Sequence, residues 1–201
     1  MMSRTHLAVG MAAAVTVAAP RTIEEAVPVI IGGAIGSVIC DIDCRKGGGR
    51  KDTLAGRIIA AVIVVLALFM DTVLGAHILE SAAGEGPYVL AFGAGLMAIV
   101  CFAAMHSVHR GFAHSLLAGA LEALAVSMIF RQAVIPFAAA FLSHVVLDLL
   151  NWKPVRVLYP LKQGFCLRMF RSDRMVNGLC TVLGLIWLTA AVVINGAAAW
   201  R

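Results

Sequence analysis

The chain has 201 residues, 61% of them apolar and only 13% charged, with a mean hydropathy of +0.94; a soluble domain is nearer half apolar and a quarter charged. This excludes an ordinary soluble enzyme, and without the short alternating segments of an outer-membrane barrel it leaves helices as the spanning element. The net charge of +5 falls between apolar segments, where it reads as topology and contact with anionic lipid headgroups and not as a nucleic-acid surface.

Seven apolar segments predict an all-α polytopic membrane bundle forming a single domain over 1–201. Segment 7–19 is short and Ala-rich, and is expected as a thin or partly inserted helix. With Arg4 before it and Pro20 after it, it also has the layout of a secretory signal, whose cleavage would remove His6. Residues 20–25 read as a turn. Segment 26–40 carries Gly32, Gly33 and Gly36, which permit close helix packing, and ends at Asp41 and Asp43. Residues 45–57 form a basic loop whose Gly47-Gly48-Gly49 lacks the spacing of a phosphate loop. Segment 58–79 spans, with Asp71 and His77 near its far end, and 80–87 is a turn. Segment 88–105 returns to a histidine cluster, 115–130 leaves again, and 131–136 turns. Segment 137–150 ends with His144 and Asp148. Residues 151–177 are a basic, partly aromatic loop before the last span, 178–200.

Alternating these segments puts thirteen of the 16 Lys and Arg residues on the side of the histidine cluster, leaving only Arg21, Arg131 and Arg201 opposite. The positive-inside rule makes the richer side cytoplasmic. The expected location is the cytoplasmic (inner) membrane of a bacterium or archaeon, crossed several times. The same alternation places His6, Asp41, Asp43, His106, His109, His114, His144 and Asp148 on that side, so the site is expected at the cytoplasmic interface.

Ionisable groups at a membrane boundary are costly and mark sites. His144 and Asp148 lie four apart, one turn apart on one helix face. His109 and His114 are five apart, about 140° around a straight helix. They converge only if the chain turns between them, which Gly111 allows. That puts His114 and Ser115 at a helix start, with Arg110 able to grip a phosphate or a carboxylate. Asp41 and Asp43 are read as an extended pair facing opposite ways. One would ligate while the other supports a ligand or acts as general base. His106, Cys40 and Cys44 are weighed as further ligands. His77 is excluded by its side, while Asp71 and Glu122 read as buried polar contacts. Cys101 and Cys180 read as small buried hydrophobes. No disulfide framework is indicated.

The candidate metal ligands are thus His6, Asp41, Asp43, His109, His114, His144 and Asp148, and the candidate catalytic residues are Asp41, Asp43 and Arg110. Imidazole and carboxylate suit zinc, with manganese or iron as alternatives. The donors exceed the needs of one ion, so two or three are expected, an arrangement that commonly serves phosphoester hydrolysis. No His-Glu-x-x-His motif supports a zinc protease.

Several pieces resemble a known family in the same order: Thr5-His6-Leu7, Gly36-Ser37 with Asp41-Ile42-Asp43, His109-Arg110-Gly111-Phe112-Ala113-His114-Ser115, Ser143-His144 with Asp148, and Val155-Arg156-Val157-Leu158-Tyr159-Pro160. The sequence resembles the LexA-regulated inner-membrane metal-dependent hydrolases of YdjM type, a family grouped with zinc phospholipase C and P1-type nuclease. Cys40 stands where that family usually has Pro, and Ala113 where it usually has Thr; neither change removes a candidate ligand. The resemblance implies a phospholipase C/P1 nuclease-like metal site and a metal-dependent phosphoester hydrolase.

The leading expectation is a phospholipase C-like phosphodiesterase that acts on a lipid phosphoester through metal-activated water. The basic loop, with Trp152, Tyr159, Phe165 and Phe170, would lie on anionic headgroups. The alternatives are a cation- or proton-coupled transporter using the same His/Asp cluster, with Asp71, His77 and Glu122 as a polar route, and a scaffold with a structural metal. Oligomeric state and substrate identity are left open.

Overall fold

The computed structural model describes residues 1–44, 50–74 and 86–199. His77, residues 45–49, most of the 80–87 turn, Trp200 and Arg201 lie outside the described residues. Among the described residues seven α-helices follow in order: α1 (Ser3–Ala18), α2 (Ile23–Val38), α3 (Arg50–Leu74), α4 (Pro87–His106), α5 (Leu116–Ile129), α6 (Val134–Leu149) and α7 (Arg174–Ala199). Short 3-10 turns lie at Ile39–Asp43, Phe112–His114 and Arg131–Ala133. Among the described residues there is no β-strand; two isolated bridges, Asn151 with Phe170 and Val155 with Phe165, order the loop before α7.

Helix ends follow local chemistry. Thr22 caps α2 by accepting the Glu25 N–H at 3.2 Å, and Glu24 and Glu25 occupy the positive first turn. Pro87 opens α4, a position that needs no amide donor. Ser115 caps α5 by accepting the Ala118 N–H at 3.1 Å. Asp173 accepts the Val176 N–H at 2.7 Å at the start of α7. Several helices begin before the apolar runs, because polar capping turns carry no hydropathy signal.

Among the described residues five stretches are long and apolar enough to cross a membrane: Ile23–Asp43, Thr53–Val73, Pro87–His106, Arg131–Leu149 and Arg174–Ala197. Large side chains such as Phe69, Ile99, Phe102, Ile186 and Val193 face outward, as a lipid-facing surface requires and a soluble surface rarely tolerates. The first segment is a short helix of 16 residues, and it lies centrally: α1 packs against α2, α3, α6 and α7, with Ala12 and Ala14 fully buried. Its small residues let neighbouring helices approach closely, which a hydropathy reading does not register.

The α2–α6 contact is closer still. A Cβ at Gly36 would lie 2.4 Å from the Phe137 carbonyl oxygen, and one at Gly32 would lie 2.5 Å from that of Ala133. Backbone touches backbone along this seam. It fixes the end of α2, with its aspartates, against the face of α6 that carries His144 and Asp148.

Candidate metal centre

Four parts of the chain meet at one end of the bundle: the start of α1, the 3-10 turn after α2, the α4–α5 connection and the second half of α6. His6, His114 and His144 are fully buried there, with Asp148, Asp43, Asp41 and Arg110 nearly so. The sequence alternation put these segment ends on one side, and the packing gathers them in one place.

The donors are arranged with their nitrogens facing carboxylates. The His144 Nδ1 lies 2.7 Å from the Ser37 carbonyl, so that nitrogen donates and Nε2 keeps its lone pair. This is how a ligating histidine is ordinarily oriented. His144 Nε2 lies 3.8 Å from Asp41 Oδ1 and has no hydrogen-bond partner. The His6 ring stacks on His144 at 3.7 Å and 12°, and neither His6 nitrogen has a hydrogen-bond partner. His6 Nε2 is 3.5 Å from Asp148 Oδ1. His114 lies between two carboxylates, with Nε2 3.4 Å from Asp148 Oδ2 and Nδ1 3.4 Å from Asp43 Oδ2. Both contacts are longer than ordinary hydrogen bonds, and both nitrogens are unsatisfied.

Buried imidazole nitrogens without partners cost free energy unless something binds them. Their environment says what fits. One atom from each of His6, His144 and Asp148 lies within 4.8 Å of the others, and the same holds for Asp41, His114 and His144. Neutral nitrogen donors mixed with carboxylate oxygens in a closed space suit a divalent cation, so these groups can hold a metal ion. Burial lowers the His114 pKa, but the contacts with Asp148 and Asp43 outweigh that and raise it to about 9. The site already prefers positive charge at this position.

The other predicted residues fall into a surrounding layer. Asp43 takes His109 Nδ1 at 2.7 Å on Oδ1 and the Arg110 N–H at 3.0 Å on Oδ2, and it belongs to neither ligand group. His109 is exposed over 44% of its side chain and meets His114 edge to face at 5.6 Å. Asp41 is held by the Ser3 hydroxyl at 2.6 Å, and its carbonyl accepts from the Arg57 guanidinium. Arg110 donates to Asp148 at 2.8 Å and to the Lys153 carbonyl at 2.7 Å, so two of its nitrogens are committed; its Nε is buried without a partner. The Met1 amino group also donates to Asp148 at 2.8 Å.

Two local expectations change. Asp41 and Asp43 lie on a 3-10 turn and not on an extended strand. At three residues per turn, positions two apart still diverge, by about 120°. Asp41 therefore turns toward His144, and Asp43 toward His109 and His114. In the α4–α5 connection the left-handed residue is Arg110, at φ 63°. Gly111 is required for space instead, because a Cβ there would lie 2.6 Å from the Val108 carbonyl oxygen.

His106 is not brought in. It is exposed, and its Nδ1 pairs with the Phe102 carbonyl of its own helix at 2.8 Å. Cys40 is buried in the apolar core, whereas Cys44 lines the cleft outside both ligand groups. Ser3 and Arg57 support the site but carried no sequence signal as single polar residues, whereas Ser37 stands in the Gly36-Ser37 piece of the resemblance and supports His144 through its carbonyl. The centre opens to a cleft of about 500 Å³ whose lining includes Asp41, His109, Arg110, Lys153 and Arg171.

Fold and centre together define a multi-pass helical membrane protein with a buried, one-sided histidine–carboxylate cluster. Residues 1–200 match the YdjM inner membrane protein family. The chain belongs to that family. No curated protein and no solved structure matches it.

Proposed function

We propose that the protein is a membrane-bound, metal-dependent hydrolase that cleaves a lipid phosphoester, with its centre facing the cytoplasm. The observation that carries this reading is the meeting of three fully buried imidazoles, each with an unsatisfied nitrogen, with Asp41 and Asp148. When bound there, zinc, or manganese or iron, supplies Lewis acidity and lowers the pKa of water. The relation to zinc phospholipase C and P1-type nuclease read from the sequence belongs to the same proposal.

The chain's own groups divide the work. His6, His144, Asp148, Asp41 and His114 are the ligands. With Nδ1 committed to Ser37, His144 offers one nitrogen and serves one ion, so the two groups sharing it do not both form three-ligand sites. The donor set would hold one ion, or two, with Asp148 facing His6 through Oδ1 and His114 through Oδ2. A third would have to draw on Asp43 and His109, already bonded to each other.

Asp43 supports His114 from behind, and His109, exposed in the cleft, is placed to move a proton between Asp43 and solvent. Arg110 fixes Asp148 and keeps a buried Nε without a hydrogen-bond partner, while Lys153 and Arg171 attract the anion into the cleft. The loop between α6 and α7 exposes Trp152, Tyr159, Phe165 and Phe170 beside Lys162 and Arg168, a composition suited to a headgroup layer.

The cluster gathers at one end, and the deeper cavities between helices are apolar; both favour hydrolysis over passage of a cation. The test is headgroup release from phospholipid vesicles by purified, metal-supplemented protein. Wild type should release headgroup and His114→Ala and Asp148→Ala should not; equal activity in all three would remove the site.

A further inference from the structure

Beside the centre, between α2, α3 and α4, runs an apolar slot. Its outer part, about 490 Å³, is lined by Val38, Ile42, Arg57, Ala60, Ala61 and Met105 among others. Its inner part, about 320 Å³, reaches Leu68, Met97, Val126, Phe130 and Phe137. Both parts share Ile35, Ile39 and Val64, so they adjoin along these three side chains.

The mouth adjoins the metal centre. Ile42 lies between Asp41 and Asp43, and Arg57 donates to the Asp41 carbonyl. Thr53, one turn before Arg57 on α3, lines the cleft beside Asp41. Among the described residues Arg57 is the only charged one along the slot lining, and it stands at the mouth.

The dimensions select an occupant. From Arg57 to Leu68 the slot follows about three turns of α3, roughly 16 Å. That is about half of a ~30 Å hydrocarbon core, the depth of one leaflet. A partner helix, about 10–12 Å across, does not fit the inner part. The inner walls include the buried Ile31, Ala133 and Phe137, so this is an interior slot and not the outer lipid-facing surface.

We infer that the slot holds one acyl chain of a membrane lipid whose phosphate lies between Arg57 and the His–Asp centre. The inference rests on the hydrolase reading for the fate of that lipid, and on the slot alone for its binding. It makes the substrate a lipid that stays in its leaflet and offers its phosphate sideways at the interface.

The test uses the full chain in phosphatidylcholine vesicles containing phosphatidylglycerol with a photoreactive group at the acyl terminus. Labelling sites are mapped by peptide mass spectrometry, and headgroup release is followed in the same preparation. Label is expected at Met97, Val126 and Phe130, exceeding that at Ile186 on the outer face of α7. Ala61→Trp, at an exposed position of the mouth, and Val64→Trp, midway, should each lower inner labelling at least about tenfold, the equivalent of losing two buried methylenes. Labelling at Ile186 should stay unchanged. Equal labelling of slot and outer face, or inner labelling unaffected by both variants, would overturn the slot. Slot labelling without headgroup release would overturn the hydrolase reading and leave the slot standing; release with only outer-face labelling would do the reverse.

Discussion

Replacing Asp43 by Asn separates a group that binds the metal from one that holds a ligand in place. Asp43 spends Oδ1 on His109 at 2.7 Å and Oδ2 on the Arg110 N–H at 3.0 Å, and stands 3.4 Å from His114 Nδ1. Asn keeps the volume and loses the charge. Removing a carboxylate behind a ligating histidine typically costs 10–100-fold in metal affinity. Proton competition opposes part of that loss. In the metal-free protein His114 has a pKa of about 9, because Asp148 and Asp43 outweigh the lowering by burial. Below that pH an ion must displace a proton, so wild-type affinity rises with pH up to about 9 and then levels. Without the Asp43 charge the His114 pKa falls and the plateau begins earlier. The deficit of Asp43→Asn should therefore be small near pH 7 and approach 10–100-fold above pH 9. Competition against a chelating dye across this range, with metal content measured in parallel, reads both quantities. A pH-independent loss above about 1,000-fold, or a lost equivalent of metal, would show that Asp43 is itself a ligand.

Three further outcomes follow from the same geometry. Gly36→Ala places a Cβ 2.4 Å from the Phe137 carbonyl oxygen and should cost about 1–3 kcal/mol in a detergent unfolding titration, with weaker metal binding because Asp41 and His144 lie across that seam. Arg110→Lys cannot span Asp148 and the Lys153 carbonyl together, and should lower headgroup release about 10–100-fold at unchanged helical content by circular dichroism. The His114 pKa is raised from 6.5 to about 9 on folding; protonation of this residue favours the fold fully below about pH 6.5, and that contribution is lost as pH rises through 9. The melting temperature of the metal-free protein should accordingly fall over that window, and His114→Gln should flatten the fall.

Much of this architecture is legible in the chain because lipid makes hydropathy a strong signal. The seven segments, the single polar end and the turn between His109 and His114 all follow from apolar run lengths and the cost of buried charge. The residues that hold the ligands are less legible. Ser37 contributes only its backbone carbonyl, which no side-chain pattern reveals. Ser3 and Arg57 reach Asp41 from α1 and α3, and such contacts depend on packing distance. The division of labour between Asp41 and Asp43 depends on the 3-10 turn, whose period differs from the extended reading. The central packing of α1 is not legible either, since its alanines read as weak hydrophobicity although they permit close helix approach.

The central claim is that these donors bind metal, and elemental analysis of the protein purified from membranes without added chelator tests it directly. One or two equivalents of zinc, manganese or iron per wild-type chain are expected. His144→Ala, having lost the ligand common to both groups, should be depleted while remaining folded. A metal-free wild type that also fails to take up these ions in titration, or full occupancy in His144→Ala, would contradict it.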